Sequence, residues 1–508
     1  MTEHPARVIG IGLLCGVICT SAAPAKDWRQ WGGSKGRNMV SEERGLPDSF
    51  VPGEKNPKDG RVALATTKNV RWVAKLGSMT CSTPAVAGGK VFLGTAEDGQ
   101  GILQCLEESS GRLLWRWSAP TRPVPKEIDG RKFWFTVFPR TLGVCSSPAV
   151  EEDRVYLVTH RCEVLCLDLE ANVAWTFDMW ELGVRPSDAC NCSVLVHGGL
   201  VYVGTSNGVD RDADARKKDE FRKPPAPQAP SLIVLDKTTG RLVATDEETI
   251  GTRLLHGQWS SPSLGKVGGR TLVFFGGGDG VLYAFDALSS IPPQPVKLKK
   301  AWSFDCNPPE YKEFGKLDLV THYCLGDRRR SDALNKSDGS FVGMSEIIAT
   351  PVFHEGRVYV AIGRDPEHGR GRGALFCIDA AKIGDITKTG KIWSYRGLDR
   401  TLSTVSIASG LLYVADVAGR LHCLDSLTGQ VRWIHETKAR IWGSTLVADG
   451  KVYLPTEKHL WVLQAGKEKK VLSQIALGAP VWASPVAANG VLYVASTRQL
   501  WAVRAPSP

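Results

Sequence analysis

The sequence predicts an all-β fold, an eight-bladed β-propeller, because one strand pattern recurs eight times and its last copy is one strand short. The clearest copy spans residues 146–175: Ser-Ser-Pro-Ala-Val, a turn, Val-Tyr-Leu-Val, a turn, Leu-Cys-Leu-Asp, then Trp. Repetition at this period marks stacked units, none of which buries its apolar face alone. The runs are short, rich in Val, Leu and Tyr, and bounded by Gly, Asp and Asn. That pattern argues for antiparallel strands, not helices. Four such strands make one propeller blade.

The copies open with CSTPAV at Cys81, CSSPAV at Cys145, CNCSVLV at Cys190 and WSSPSL at Trp259. They continue with IATPVF at Ile348, LSTVSI at Leu402, WGSTLV at Trp442 and WASPVA at Trp482. A second strand (KVFLGT, RVYLVT and their equivalents) and a third (ILQCLE, EVLCLD, RLHCLD) follow each opening. Many copies close with Asp-x-x-x-Gly and a Trp four residues on, as at Asp425, Gly429 and Trp433. The eighth copy has three strands before Pro508, and Val70-Arg71-Trp72-Val73-Ala74-Lys75 is a closing Trp strand without a blade of its own. This N-terminal strand is expected to complete the last blade and close the ring, which removes exposed strand edges. The expected division is 1–25 a signal peptide, 26–69 an extension packing on the propeller, and 70–508 the propeller.

The N-terminus fits export. Arg7 supplies positive charge, residues 8–19 form an apolar run too short to span a bilayer, and Ala23-Pro24-Ala25 has the spacing of a cleavage site. A periplasmic or secreted protein is expected, with a lipid anchor on Cys15 or Cys19 disfavoured by the bulky Leu14 and Ile18. A net charge of +10 over 508 residues is too dilute for a nucleic-acid-binding stripe. A monomer without a transmembrane segment is expected.

Cys105, Cys166, Cys377 and Cys423 share a third-strand slot that Val234 or Ala284 fills in other copies, so they read as small buried apolar residues. Cys81, Cys145 and Cys190 are expected in another shared slot, at the start of the inner strand and facing the channel. No C-x-x-C is present, and C-x-C at Cys190 is a weaker signal, so no metal site is expected. Cys306 and Cys324 lie in one inserted loop and are the disulfide candidates.

Alternation of turns in a four-stranded blade puts the insertions 118–143, 178–189, 206–230, 306–346 and 363–373 on one face. Long loops on a rigid scaffold carry function. The expected ligand face comprises Phe133, Trp134, Trp180, Arg328, Arg329, Arg364, Asp365 and His368, with Trp259, Trp442 and Trp482 at the channel mouth. Aromatic walls with a few charges suit a protein, peptide or small-molecule ligand.

The closing turn Asp-x-x-x-Gly-x-x-x-Trp, combined with Ser-x-Pro openings, resembles the pyrroloquinoline-quinone (PQQ) repeat family over roughly residues 70–508. The opening Asp27-Trp28-Arg29-Gln30-Trp31-Gly32-Gly33 is similar to the N-terminus of many exported members. The resemblance implies either of two roles, because the family includes quinoprotein alcohol dehydrogenases and a non-enzymatic propeller lipoprotein of bacterial outer-membrane assembly. In the dehydrogenases a Trp stacks on the quinone, adjacent disulfide-bonded Cys cover it, and an acid, an Asn and an Asp hold calcium. This chain has no Cys-Cys pair and no C-x-x-C-H for a haem. The expected function is therefore a binding or scaffold module without a cofactor. The alternative is a divergent PQQ- and calcium-dependent oxidoreductase of an alcohol or sugar, with Trp259, Trp442 or Trp482 as the stacking surface and no catalytic residue assigned.

Overall fold

A computed structural model describes residues 26–122, 127–128, 131–132, 142–186, 189–208, 226–254, 256–307, 345–366 and 373–505. Eight antiparallel sheets of four core strands each form the ring. Blade 1 runs Ala85–Ala87, Lys90–Glu97, Gln100–Glu107 and Leu113–Pro120, from the inside outwards. Blades 2 to 7 follow at 149–178, 195–245, 263–305, 352–395, 406–436 and 446–476. Blade 8 takes Val486–Ala488, Val491–Ala495 and Gln499–Val503 from the end of the chain and Val70–Lys75 from its start. The closing pair is antiparallel, with Val73 opposite Trp501 and Lys75 opposite Gln499.

The closing-turn motif acts between blades. Six outer-strand Trp residues donate the indole N–H to a backbone carbonyl of the next blade: Trp72 to Glu108, Trp115 to Leu169, Trp175 to Lys237, Trp302 to Ala380, Trp393 to Ser426 and Trp433 to Gly466, all within 2.7–3.2 Å. The turn glycine receives the ring. A Cβ on Gly111 would lie 2.4 Å from the ring of Trp72, and one on Gly429 would lie 2.6 Å from that of Trp393. Both glycines also have φ near +70°, which L side chains rarely adopt. The motif therefore encodes the seam between blades as well as the turn. The third-strand thiols sit on the same seam: Cys166 is opposite Tyr156 and Trp175, and Cys423 opposite Tyr413 and Trp433. All four are buried, and burial pushes the Cys105 and Cys423 thiols up to about 12.

Two insertions on the face opposite the channel mouth cover sheet edges. Val296–Lys297 pairs in parallel with the outer strand of blade 3, and Gly384–Asp385 with that of blade 4. Covered edges are poor templates for association with another chain.

The N-terminal segment makes one lap of the channel. Trp28 bridges to Val86 of blade 1, and Val150 of blade 2 donates to the carbonyl of Arg29. Arg37 reaches the carbonyls of Val194 in blade 3 and Pro262 in blade 4. Leu264 of blade 4 and Phe353 of blade 5 donate to Lys35 and Gly36. The Asn38 amide clasps both backbone groups of Ile407 in blade 6. Val40–Ser41 pairs in parallel with blade 7, and Ser41 donates to Ala487 of blade 8. Glu43 then accepts from the amides of Asn489 and Gly490. The polar backbone edge of every inner strand is thus met by one strap of about fourteen residues. Among the described residues, no helix is long and apolar enough to cross a membrane.

Candidate functional site

The inner strands define three levels along the channel. The middle level is a belt of hydroxyls, one per blade: Thr83, Ser147, Ser193, Ser261, Thr350, Thr404, Ser444 and Ser484. Backbone N–H groups of Thr83, Ser147, Ser193, Thr350, Thr404, Ser444 and Ser484 each donate to the hydroxyl of the next blade at 2.8–3.2 Å. At the remaining step the Thr350 hydroxyl instead accepts the indole N–H of Trp31, 3.0 Å away. The strap contacts lie about three residues further along each strand. At about 3.3 Å per residue, the strap is ~10 Å below the belt. Trp31 projects from the strap to the belt and forms the floor of the cavity above it.

Arg37 locks that floor. It is fully buried, and its guanidinium donates to Gln30 and to the carbonyls of Trp31, Val194 and Pro262. Desolvation lowers its pKa to about 9, which still leaves it charged at neutral pH.

Two residues before the belt, the same slot reads Cys81, Cys145, Asn191, Trp259, Ile348, Leu402, Trp442 and Trp482. Together with Trp31 these line a cavity of about 430 Å³. The register corrects the expectation for Cys190. Ser193 holds the belt position of blade 3, so Asn191 faces the cavity and Cys190 is buried one position earlier. Cys192 stands where blade 2 has Ser146: its Sγ accepts from Gly204 as the Ser146 hydroxyl accepts from Val158. Cys190 lies against Cys162, and Cys145 against Cys81. Hydrogen bonding with Cys81 and burial push the Cys145 thiol well above its ordinary range, and burial followed by hydrogen bonding with Cys190 does the same for Cys162.

Trp442 and Trp482 form one wall, with ring centroids 5.8 Å apart and planes inclined by 44°. The Trp442 indole donates to Glu457 at 2.8 Å. Trp259 stands across the cavity, donates to the carbonyl of Ala189 at 3.0 Å, and meets the ring of His256 edge-on at 5.0 Å. Asp365, Glu457 and Arg440 are the charged residues of the lining among the described residues. Beside Trp259, one ligand atom each of His256, Glu346 and Asp365 lie within 4.8 Å of one another. His256 and Glu346 are buried, and neither was singled out from sequence. Their one signal is position, each lying just upstream of an inner-strand opening.

The other residues expected on the ligand face have varied placements. Trp180 is held between two guanidinium groups, Arg185 at 4.3 Å and Arg122 at 5.0 Å from its ring centroid. Arg364 is 2% exposed, which corrects its expected place on an open face. Phe133, Trp134, Arg328, Arg329, His368 and Cys324 lie outside the described residues. Cys306 is buried at the end of the outer strand of blade 4. The described ends of four insertions meet in pairs, Pro186 bridging to Asn207 and Glu346 to Gly363.

A family model described as outer membrane protein assembly factor BamB matches residues 55–131 and 383–469. Two stretches of the propeller are thus similar to that family model. BamB from Moraxella catarrhalis superposes on this propeller with a TM-score of 0.53 and 13% identity, over 85% of this chain and 98% of that one. A europium-containing methanol dehydrogenase superposes with a TM-score of 0.57 and 13% identity, over 93% of this chain and 89% of that one. At such identity the likeness speaks for the fold alone. No curated protein matches the propeller's sequence.

The quinone implied by the resemblance is a tricarboxylate. The described lining sets two carboxylates, Asp365 and Glu457, against one guanidinium, Arg440. Trp442 and Trp482 pack against each other and leave no parallel pair of faces. Cys81 and Cys145 come from different blades and are not adjacent in sequence. These residues do not fit that group.

Proposed function

We propose that this PQQ-like propeller is an exported binding module that takes a ligand into the channel mouth on its loop-rich face. The observation that carries the reading is the asymmetry of the channel: a strap touching all eight blades closes one end, and an aromatic cavity opens at the other. A volume of about 430 Å³ suits a small molecule or one or two side chains of a peptide. Two carboxylates and four indoles favour an apolar or cationic group over an anionic one. Export rests on Arg7, the apolar run 8–19 and the Ala-x-Ala spacing at Ala23, and N-terminal sequencing of the secreted protein checks it.

The test is a ligand-observed NMR screen of aromatic and basic tripeptides against the wild type and the W442A/W482A double variant. Binders that are lost in the variant, at unchanged fold, support the reading. Binders that survive there overturn it. Addition of pyrroloquinoline quinone with calcium tests the oxidoreductase alternative: retention of quinone absorbance with dye-linked alcohol turnover would replace the binding-module reading.

A further inference from the structure

We propose that His256, Glu346 and Asp365 form a binding site for a first-row divalent metal ion of the zinc class, with one coordination position open to the cavity. This inference concerns the site itself and does not depend on which ligand the propeller binds. The three side chains come from different segments: His256 precedes the inner strand of blade 4, Glu346 precedes that of blade 5, and Asp365 follows the second strand of blade 5. Their ligand atoms converge within 4.8 Å. Ligands about 2.0–2.2 Å from one ion are separated by roughly 3–4 Å, so only a small inward adjustment is needed.

The surroundings fix the donors. Glu346 accepts the backbone N–H of Asp365 through Oε1 at 3.1 Å, and its own carbonyl accepts from Gly363. The His256 ring is held edge-on to Trp259. Metal sites depend on such outer contacts to aim their ligands. Two carboxylates this close repel each other, and an ion between them turns repulsion into attraction.

Burial and opening are divided in the way a working site requires. His256 and Glu346 are 1% and 0% exposed, whereas Asp365 and the neighbouring Trp259 line the cavity. Three protein ligands with one side facing a cavity is the arrangement that keeps an exchangeable position. The donor chemistry selects the metal. Imidazole with two carboxylates suits zinc, cobalt, nickel or iron, whereas calcium takes oxygen donors only.

The test titrates chelator-treated full-length protein with Co²⁺, read by visible d–d absorption, and then displaces it with Zn²⁺. One equivalent is expected to bind, to be displaced by Zn²⁺, and to be unaffected by excess Ca²⁺. H256Q and E346Q are expected to weaken binding by roughly 100-fold or more. D365N, at a partly exposed position, provides the same readout with little risk to the fold. Circular dichroism and melting temperature establish that each variant is folded. Absence of Co²⁺ binding would overturn the proposal. Undiminished binding in folded H256Q and D365N would place the ion elsewhere and overturn it equally.

Discussion

The two ends of the channel are built from the same eight strands and have opposite characters. At the closed end, position by position, the inner strands present backbone N–H and C=O groups, and the strap satisfies them in every blade. At the open end, the slot two residues before the hydroxyl belt holds Cys, Asn, Trp, Ile or Leu, according to the blade. The belt between them is always Ser or Thr. The difference teaches where each blade is constrained. A hydroxyl that accepts from its neighbour's backbone admits little substitution, because an unmet buried N–H is expensive. A side chain facing open space only has to suit what enters.

The most severe way to break this comparison is to open the ring. Trp72→Ala removes a buried indole, its bond to Glu108 and the packing against Gly111 and Tyr493. A loss of about 4 kcal/mol is expected, measured from the urea midpoint. An unchanged midpoint would mean that Val70–Lys75 does not lock blade 8.

Arg37→Met attacks the closed end. It leaves the carbonyls of Trp31, Val194 and Pro262 without their donor, and about 3 kcal/mol of destabilisation is expected. Trp442→Ala at the open end is expected to cost only about 1 kcal/mol, because the ring is not fully buried. Equal losses in the two variants would erase the contrast between the ends.

Acid is expected to act through His160, in the second-to-third strand turn of blade 2. Its ring lies against Gly101, where a Cβ would come within 2.0 Å. Burial lowers its pKa from 6.5 to about 4. The folded protein therefore refuses a proton that the unfolded chain accepts. Stability from this group is unaffected above pH 6.5 and falls between about pH 6.5 and 4, by roughly 2–3 kcal/mol. His160→Gln is expected to flatten that part of the stability–pH curve, and an identical slope in the variant would contradict the assignment. The belt is expected to respond more than the open end. Ser444→Ala removes the acceptor of the buried Thr404 N–H, and about 2 kcal/mol is expected, read as a fall in melting temperature.

The ring, its number of blades and its closing strand were legible because they repeat: Trp72 is recognisable only by comparison with Trp433 and its equivalents. The strap was not legible in that way. Its contacts are mostly backbone hydrogen bonds, which need no periodic side chains, and Arg37 is a single arginine with no partner close in sequence. Cys190 was misplaced because two cysteines flank Asn191, and the register is set by Ser193, not by either thiol. The mouth aromatics followed from the slot. His256 and Glu346 meet only through the fold, 90 positions apart. Asp365 was visible as a charged residue on a long loop, but its neighbours were not.

The asymmetry of the channel is tested most directly by thiol labelling of the native protein with a maleimide at neutral pH, located by peptide mass spectrometry. Cys81, the one partly exposed thiol among the described residues, lines the open cavity. Met39→Cys places a second thiol on the strap, at a position with no exposure. Cys81 is expected to label rapidly, and the thiol introduced on the strap only as the protein unfolds. Labelling of both positions at the same rate would show that the strap does not close the channel, and would contradict the account.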